Sequence, residues 1–111
     1  MQRIVLDAPQ DLQKINRFLR EYIGFSIQLW SYSVSHSHLD LRLNRGTAGN
    51  FHLRFAAVNA ILLPQLNWQL NGQVNYDESQ KHSRYVFVDE NASVRIESDL
   101  LRFEENVEPV Y

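Results

Sequence analysis

Two short segments, HLDLRLN (His38–Asn44) and FHLRF (Phe51–Phe55), place an apolar side chain at every second position. The apolar set is Leu39, Leu41 and Leu43, then Phe51, Leu53 and Phe55. Strict alternation belongs to a strand with one dry face and one wet face, and a slip of one residue would turn every leucine outward. The register is therefore constrained: paired about a turn near Thr47, Asp40 falls opposite Arg54 and Arg42 opposite His52. The same alternation gathers His36, His38, Asp40, Arg42, His52 and Arg54 on the other face, which this reading leaves in water.

The rest of the chain extends this sheet. Ile4–Leu6 reads as a short first strand, and a helix is predicted over about residues 8–23. Leu12, Ile15, Leu19, Tyr22 and Ile23 recur at spacings of three and four, with Pro9 in the first turn and Gly24 as the left-handed terminating residue. Everything beyond Gly24 reads as β structure. In Phe25–Val34 the apolar phase changes between Leu29 and Trp30, which a β-bulge explains, as does a strand covered on both faces, one of them by the helix. Asn71-Gly72 between alternating segments predicts a tight hairpin, because Asn and Gly tolerate the positive φ such turns require. Further strands are expected at Arg84–Val88, Val94–Glu97 and Leu100–Phe103, before an acidic tail over 104–111. The expectation is a single α+β domain over 1–111, with one N-terminal helix packed on a largely antiparallel sheet or sandwich of about six to eight strands, arranged as a meander over about 25–104.

Composition excludes several chemistries. With no cysteine there is no disulfide framework, thiol nucleophile or cysteine-held metal, and a reducing cytoplasmic setting fits best. No signal-peptide core follows Met1, and the long uncharged stretch Ala56–Tyr76 is too interrupted by Pro64, Gly72, Asn and Gln to read as a membrane span. The formal charge is −2 with pI near 6.0. Residues 1–56 hold seven Lys/Arg against four Asp/Glu, and 57–111 hold four against nine. That balance argues against nucleic acid, which calls for a basic stripe.

The sharpest chemical string is His36-Ser-His38-Leu-Asp40. Histidines two apart on a strand project to one side about 7 Å apart and can share a metal, with Asp40 and His52 as further ligands. His-x-His-x-Asp resembles the opening of the metallo-β-lactamase metal motif, but Leu41 stands where that family has another histidine. The string is also similar to the cupin motif, but the cupin glutamate is missing from Asp40-Leu-Arg42-Leu, and Trp30 stands where the upstream glycine is expected. Neither resemblance extends beyond these residues. Arg42 and Arg54 on the same face repel a divalent cation, so cross-strand charge pairing is the better reading there. Gly46-Thr-Ala-Gly49 precedes a strand rather than a helix and so lacks the context of a phosphate cradle.

The leading functional expectation rests on size, charge and the lack of catalytic signatures, and aromatic residues supply its candidate surface. Trp30, Tyr32, Trp68 and Tyr85, beside the acidic Glu104 and Glu105, make a candidate interaction surface. The chain is accordingly expected to be a non-enzymatic domain without cofactor, acting by contact with a protein partner or as a homodimer. An immunity-type protein presenting an acidic surface to a toxin is one concrete form. The alternatives are a small-ligand or metal-dependent enzyme built on His36, His38, Asp40 and His52, and a carrier with a cavity lined by Tyr22, Trp30 and Trp68.

Overall fold

The structure is a computed structural model that describes residues 4–35, 37–44 and 50–105. In chain order it comprises β1 (Ile4–Asp7), α1 (Leu12–Glu21), β2 (Ser26–Ser33), β3 (His38–Asn44), β4 (Asn50–Leu62), β5 (Asn67–Gln69), β6 (Gln73–Tyr76), β7 (Tyr85–Asp89) and β8 (Val94–Glu105). The strands form one sheet in the order β5-β2-β3-β4-β8-β7-β6, with β1 added beside β8. All pairings are antiparallel. The expected α+β class is therefore observed, as a curled sheet in the form of a half-barrel.

The curl follows from two irregularities in long strands. The β2–β3 register shifts between Leu29 and Ser31, leaving Trp30 as the extra residue where the apolar phase changed. The β4–β8 register shifts between Val58 and Ala60, near Ala57 in a left-handed conformation at φ 51°. Each bulge bends its strand and increases the local twist. The two longest strands, β4 and β8, thus serve both halves of the sheet. The N-terminal half of β4 pairs with β3, and β8 meets β7 first and then β1.

The concave face holds the core. Leu39, Leu41, Leu43, Phe51, Leu53 and Phe55 are all buried, as their alternation requires. They meet Ile27, Phe87, Ile96, Leu101 and Phe103 from neighbouring strands. Ile15 and Leu19 of α1 close over this face, and Phe18 stacks on Phe103 at 5.0 Å between ring centroids. Full burial of a side chain of this size stabilises by about 1.5–3 kcal/mol, so this layer holds the helix to the sheet.

Four expectations are corrected. The helix starts later, because Asp11 folds back: its Oδ2 accepts from the Asp7 N–H at 3.0 Å, and its own N–H donates to the Asp7 carbonyl, closing a turn before Leu12. It ends at Glu21, with Gly24 beyond it at φ 93°. Asn71-Gly72 does not turn a hairpin, since β5 pairs with β2 and β6 with β7. Leu70 instead continues the β2 ladder, donating to the Phe25 carbonyl at 2.8 Å and accepting from the Gly24 N–H at 2.8 Å. Gly72 is required for closeness rather than for a turn: a Cβ there would lie 2.7 Å from Phe87 Cζ. The sheet is not a simple meander, because β8 returns to lie beside β4. Glu104 and Glu105 belong to β8 rather than to a tail, and residues 106–111 lie outside the described residues.

Candidate functional site

The polar face of the sheet is ordered by register into two rows. Ser31, Asp40, Arg54, Arg102 and Asp7 occupy successive strands of the first row, and Gln28, Arg42, His52, Glu104 and Val5 those of the second. The pairings Asp40–Arg54 and Arg42–His52 are those expected from the sequence. In the first row Arg54 Nε donates to Asp40 Oδ1 at 2.9 Å, Ser31 Oγ donates to Asp40 Oδ2 at 3.2 Å, and Arg102 Nε donates to Asp7 Oδ1 at 2.6 Å. Arg54 and Arg102 stand directly opposite each other, an arrangement that like charges disfavour. Glu104 offsets it, with Oε2 3.3 Å from Arg54 Nη1 and Oε1 3.9 Å from Arg102 Nη1. These carboxylates raise the pKa of both guanidiniums, chiefly through the hydrogen bonds to Asp40 and to Asp7.

This face is drier than its alternation suggests. Arg42 and His52 are buried, and Arg42 lies with its guanidinium carbon 4.2 Å from the Trp30 ring centroid. Neither ring nitrogen of His52 has a hydrogen-bond partner among the described residues. Burial lowers the His52 pKa below its ordinary 6.5, assisted by Arg54 and Arg42 and opposed by Asp40 and Glu104. Beside the first row lies an open groove of about 480 Å³ whose lining includes Asp7, His38, Asp40, Arg54, Leu100 and Arg102.

Among the described residues, those expected to hold a metal do not gather into one group. His38 and Asp40 line the groove, His52 is buried in the adjacent row, and His36 lies outside the described residues. Asp40 is already engaged by Arg54 and Ser31. Among the described residues no group of three or more His, Asp or Glu is placed to hold a metal ion.

The six residues expected on an interaction surface are divided by the fold. Tyr32 is exposed and Trp30 half-buried. Trp68 is buried because its indole N–H donates to Asp89, and Tyr85 is buried against Tyr76 with ring centroids 5.0 Å apart. Glu104 and Glu105 are buried in a strand interior to the sheet, which removes them from an acidic surface. The carrier cavity is corrected as well. The space between helix and sheet, where Tyr22 lies, amounts to about 10 Å³, roughly one water, and it is lined by neither Trp30 nor Trp68.

A different surface emerges at the outer edge of β2. β5 pairs only with Ser26–Gln28 region residues of β2, and the Leu29 N–H donates to the Leu66 carbonyl at 2.8 Å. Beyond that point, among the described residues, no strand pairs with the outer side of Ser31–Ser33. Three large apolar side chains are exposed on the segments that meet here: Tyr32 (46%), Val34 (75%) and Leu66 (65%). They come from two stretches, residues 22–39 and 55–76, that contain no Asp, Glu, Lys or Arg. Of these residues, sequence reasoning singled out Tyr32 alone. No local signal separates the others from Ile27, Trp68 and Leu70, which are buried in the same two stretches.

A second polar cluster, also missed, orders the loop before β7. Asp99 accepts from Asn59 Nδ2 at 2.8 Å and from the Ser83 N–H at 2.7 Å, with His82 Nδ1 at 2.9 Å. These bonds, led by that of His82, lower the Asp99 pKa. No helix among the described residues is long and apolar enough to cross a membrane. Comparison with protein-family models, with curated proteins and with solved structures gives no match for this chain.

Proposed function

We propose that this chain is a non-enzymatic binding domain that acts through protein–protein contact, and that the contact is made at the outer edge of β2. The observation carrying this reading is the unguarded character of that edge. Natural sheets protect an open edge with charge, proline or a covering element, because unpaired backbone groups beside apolar side chains invite association. Here the bulge at Trp30 is present, but Tyr32, Val34 and Leu66 remain exposed with no charged residue in their own segments. An apolar patch of this kind is the ordinary mark of an interaction site.

The test is affinity capture from the native host, using wild type, Tyr32→Lys, Leu66→Lys and, as a control on the polar face, Leu100→Lys. The reading expects a partner bound by wild type and by the control and lost from the two edge variants. An identical set of bound proteins in all four would overturn it.

The groove favours one second reading, a small-ligand or metal-dependent enzyme using His38 and Asp40. Its support is a space of about 480 Å³ with charged groups of both signs on its wall. Thermal shift with Zn²⁺, Mn²⁺ and Ni²⁺ tests the metal-dependent form. Stabilisation lost in His38→Ala would favour it, and no shift in the wild type would remove it.

A further inference from the structure

We propose that Asn71-Gly72 is a site of spontaneous covalent modification, where the chain converts its own asparagine into aspartate and isoaspartate. The product weakens the Asp89 contact that joins the two margins of the sheet. Asn71 is the one asparagine in the sequence that is followed by glycine. Lacking a Cβ, Gly72 offers the least hindrance to attack by its own nitrogen on the side chain before it. The fold leaves this chemistry open. Asn71 is exposed, and it lies with Gly72 in irregular backbone between β5 and β6. It borders an open groove of about 380 Å³, which gives water access to the step. Among the described residues no acceptor takes the Gly72 N–H. By contrast, the side chains of Asn16 and Asn59 are held by Val74 and Asp99.

The reaction needs only water. The Gly72 nitrogen gives its proton to solvent and forms a bond to Asn71 Cγ. The Cγ–Nδ2 bond breaks, ammonia leaves with a proton, and a cyclic succinimide is closed. Water then opens the ring at Cγ, giving aspartate, or at the main-chain carbonyl carbon of residue 71, giving isoaspartate. Nothing is oxidised or reduced. Either product disturbs its surroundings. Asp89 is fully buried, and its Oδ2 already accepts from the Asn71 N–H at 2.7 Å and from Trp68 Nε1 at 2.9 Å. A carboxylate on residue 71 sets a like charge beside a group that has no contact with water. Isoaspartate also lengthens the main chain by one carbon just before Gly72. That residue has no room to shift, since a Cβ there would lie 2.7 Å from Phe87 Cζ.

Timed incubation of the folded chain in mildly alkaline buffer tests this, read by peptide mass mapping with isoaspartate quantified and by urea unfolding. Conversion is expected at residue 71 ahead of Asn75 and Asn91, and the urea midpoint is expected to fall as product accumulates. Asn71→Gln, whose longer side chain disfavours ring closure, is expected to keep its mass and its midpoint through the same incubation. Asn71→Asp is expected to have a lower midpoint than Asn71→Gln, and the difference to shrink when each is combined with Asp89→Asn. An amide retained at residue 71 in the folded chain but lost from the urea-unfolded chain would overturn the proposal. So would conversion that leaves the midpoint unchanged, or an Asn71→Asp variant as stable as Asn71→Gln.

Discussion

Asp89 accepts the indole N–H of Trp68 at 2.9 Å, although β5, which carries Trp68, lies at one end of the sheet order and β7, which carries Asp89, is next to last at the other. The same Oδ2 accepts from the Asn71 N–H at 2.7 Å. One fully buried side chain therefore fastens the two margins of the curled sheet. Asp89→Ala leaves two donors in this region without their acceptor, and a loss of about 3 kcal/mol in urea unfolding is expected. Asp89→Asn keeps one acceptor oxygen and is expected to lose about 1 kcal/mol. Equal losses would contradict the latch.

Gly72 sits under the Phe87 ring, and Gly72→Ala places a methyl group 2.7 Å from Phe87 Cζ and 3.0 Å from the Val88 carbonyl oxygen. Overpacking of this kind costs about 1–3 kcal/mol. Combined with Phe87→Leu, the loss is expected to be smaller than the sum of the two single losses, since the clash and the ring are one contact. Strict additivity in thermal unfolding would argue against the close approach.

Asn16 joins helix to sheet by copying a peptide group. Its Nδ2 donates to the Val74 carbonyl at 2.9 Å, and its Oδ1 accepts from the Val74 N–H at 2.8 Å. Asn16→Ala is expected to cost about 2 kcal/mol and to speed hydrogen exchange selectively at the Val74 amide. Unchanged exchange at that amide would contradict the pairing.

His52 makes the sheet sensitive to acid. Its folded-state pKa is lowered, first by burial, so the native state favours the neutral ring. As pH falls through the unfolded value of about 6.5, the unfolded chain takes up the proton first and stability declines. Above that pH the contribution is fully present. The wild type is therefore expected to lose more stability between pH 7.5 and 5.5 than His52→Leu, as measured by urea midpoints. The variant is also expected to be about 1 kcal/mol more stable at neutral pH, because it removes two unpartnered buried nitrogens. Parallel pH profiles would contradict this account.

Local pattern carried much of the fold. The alternation at Leu39–Leu43 and Phe51–Phe55 fixes face and register together, so Asp40 opposite Arg54 and Arg42 opposite His52 follow without knowledge of other strands. The change of phase at Leu29-Trp30 locates the bulge for the same reason. What escaped depends on contacts distant in sequence. Asn71-Gly72 has the composition of a hairpin, but Leu70 is claimed by β2 and Gly72 by the Phe87 ring. Glu104 reads as a tail residue until β1 and β4 flank it, and Trp68 reads as a surface aromatic until Asp89 reaches it. At the candidate contact edge, Tyr32 was legible as an aromatic on a strand. Val34 and Leu66 were not, because their exposure depends on where β3 and β5 stop covering β2.

Amide hydrogen exchange at Ser31, Tyr32 and Ser33, compared between the purified chain and the chain bound to the protein it captures from its host, tests the contact edge most directly. Slower exchange at these amides in the bound chain, absent from Tyr32→Lys, is the predicted result. Exchange at this edge that is fast and the same in the free and the bound chain would contradict it.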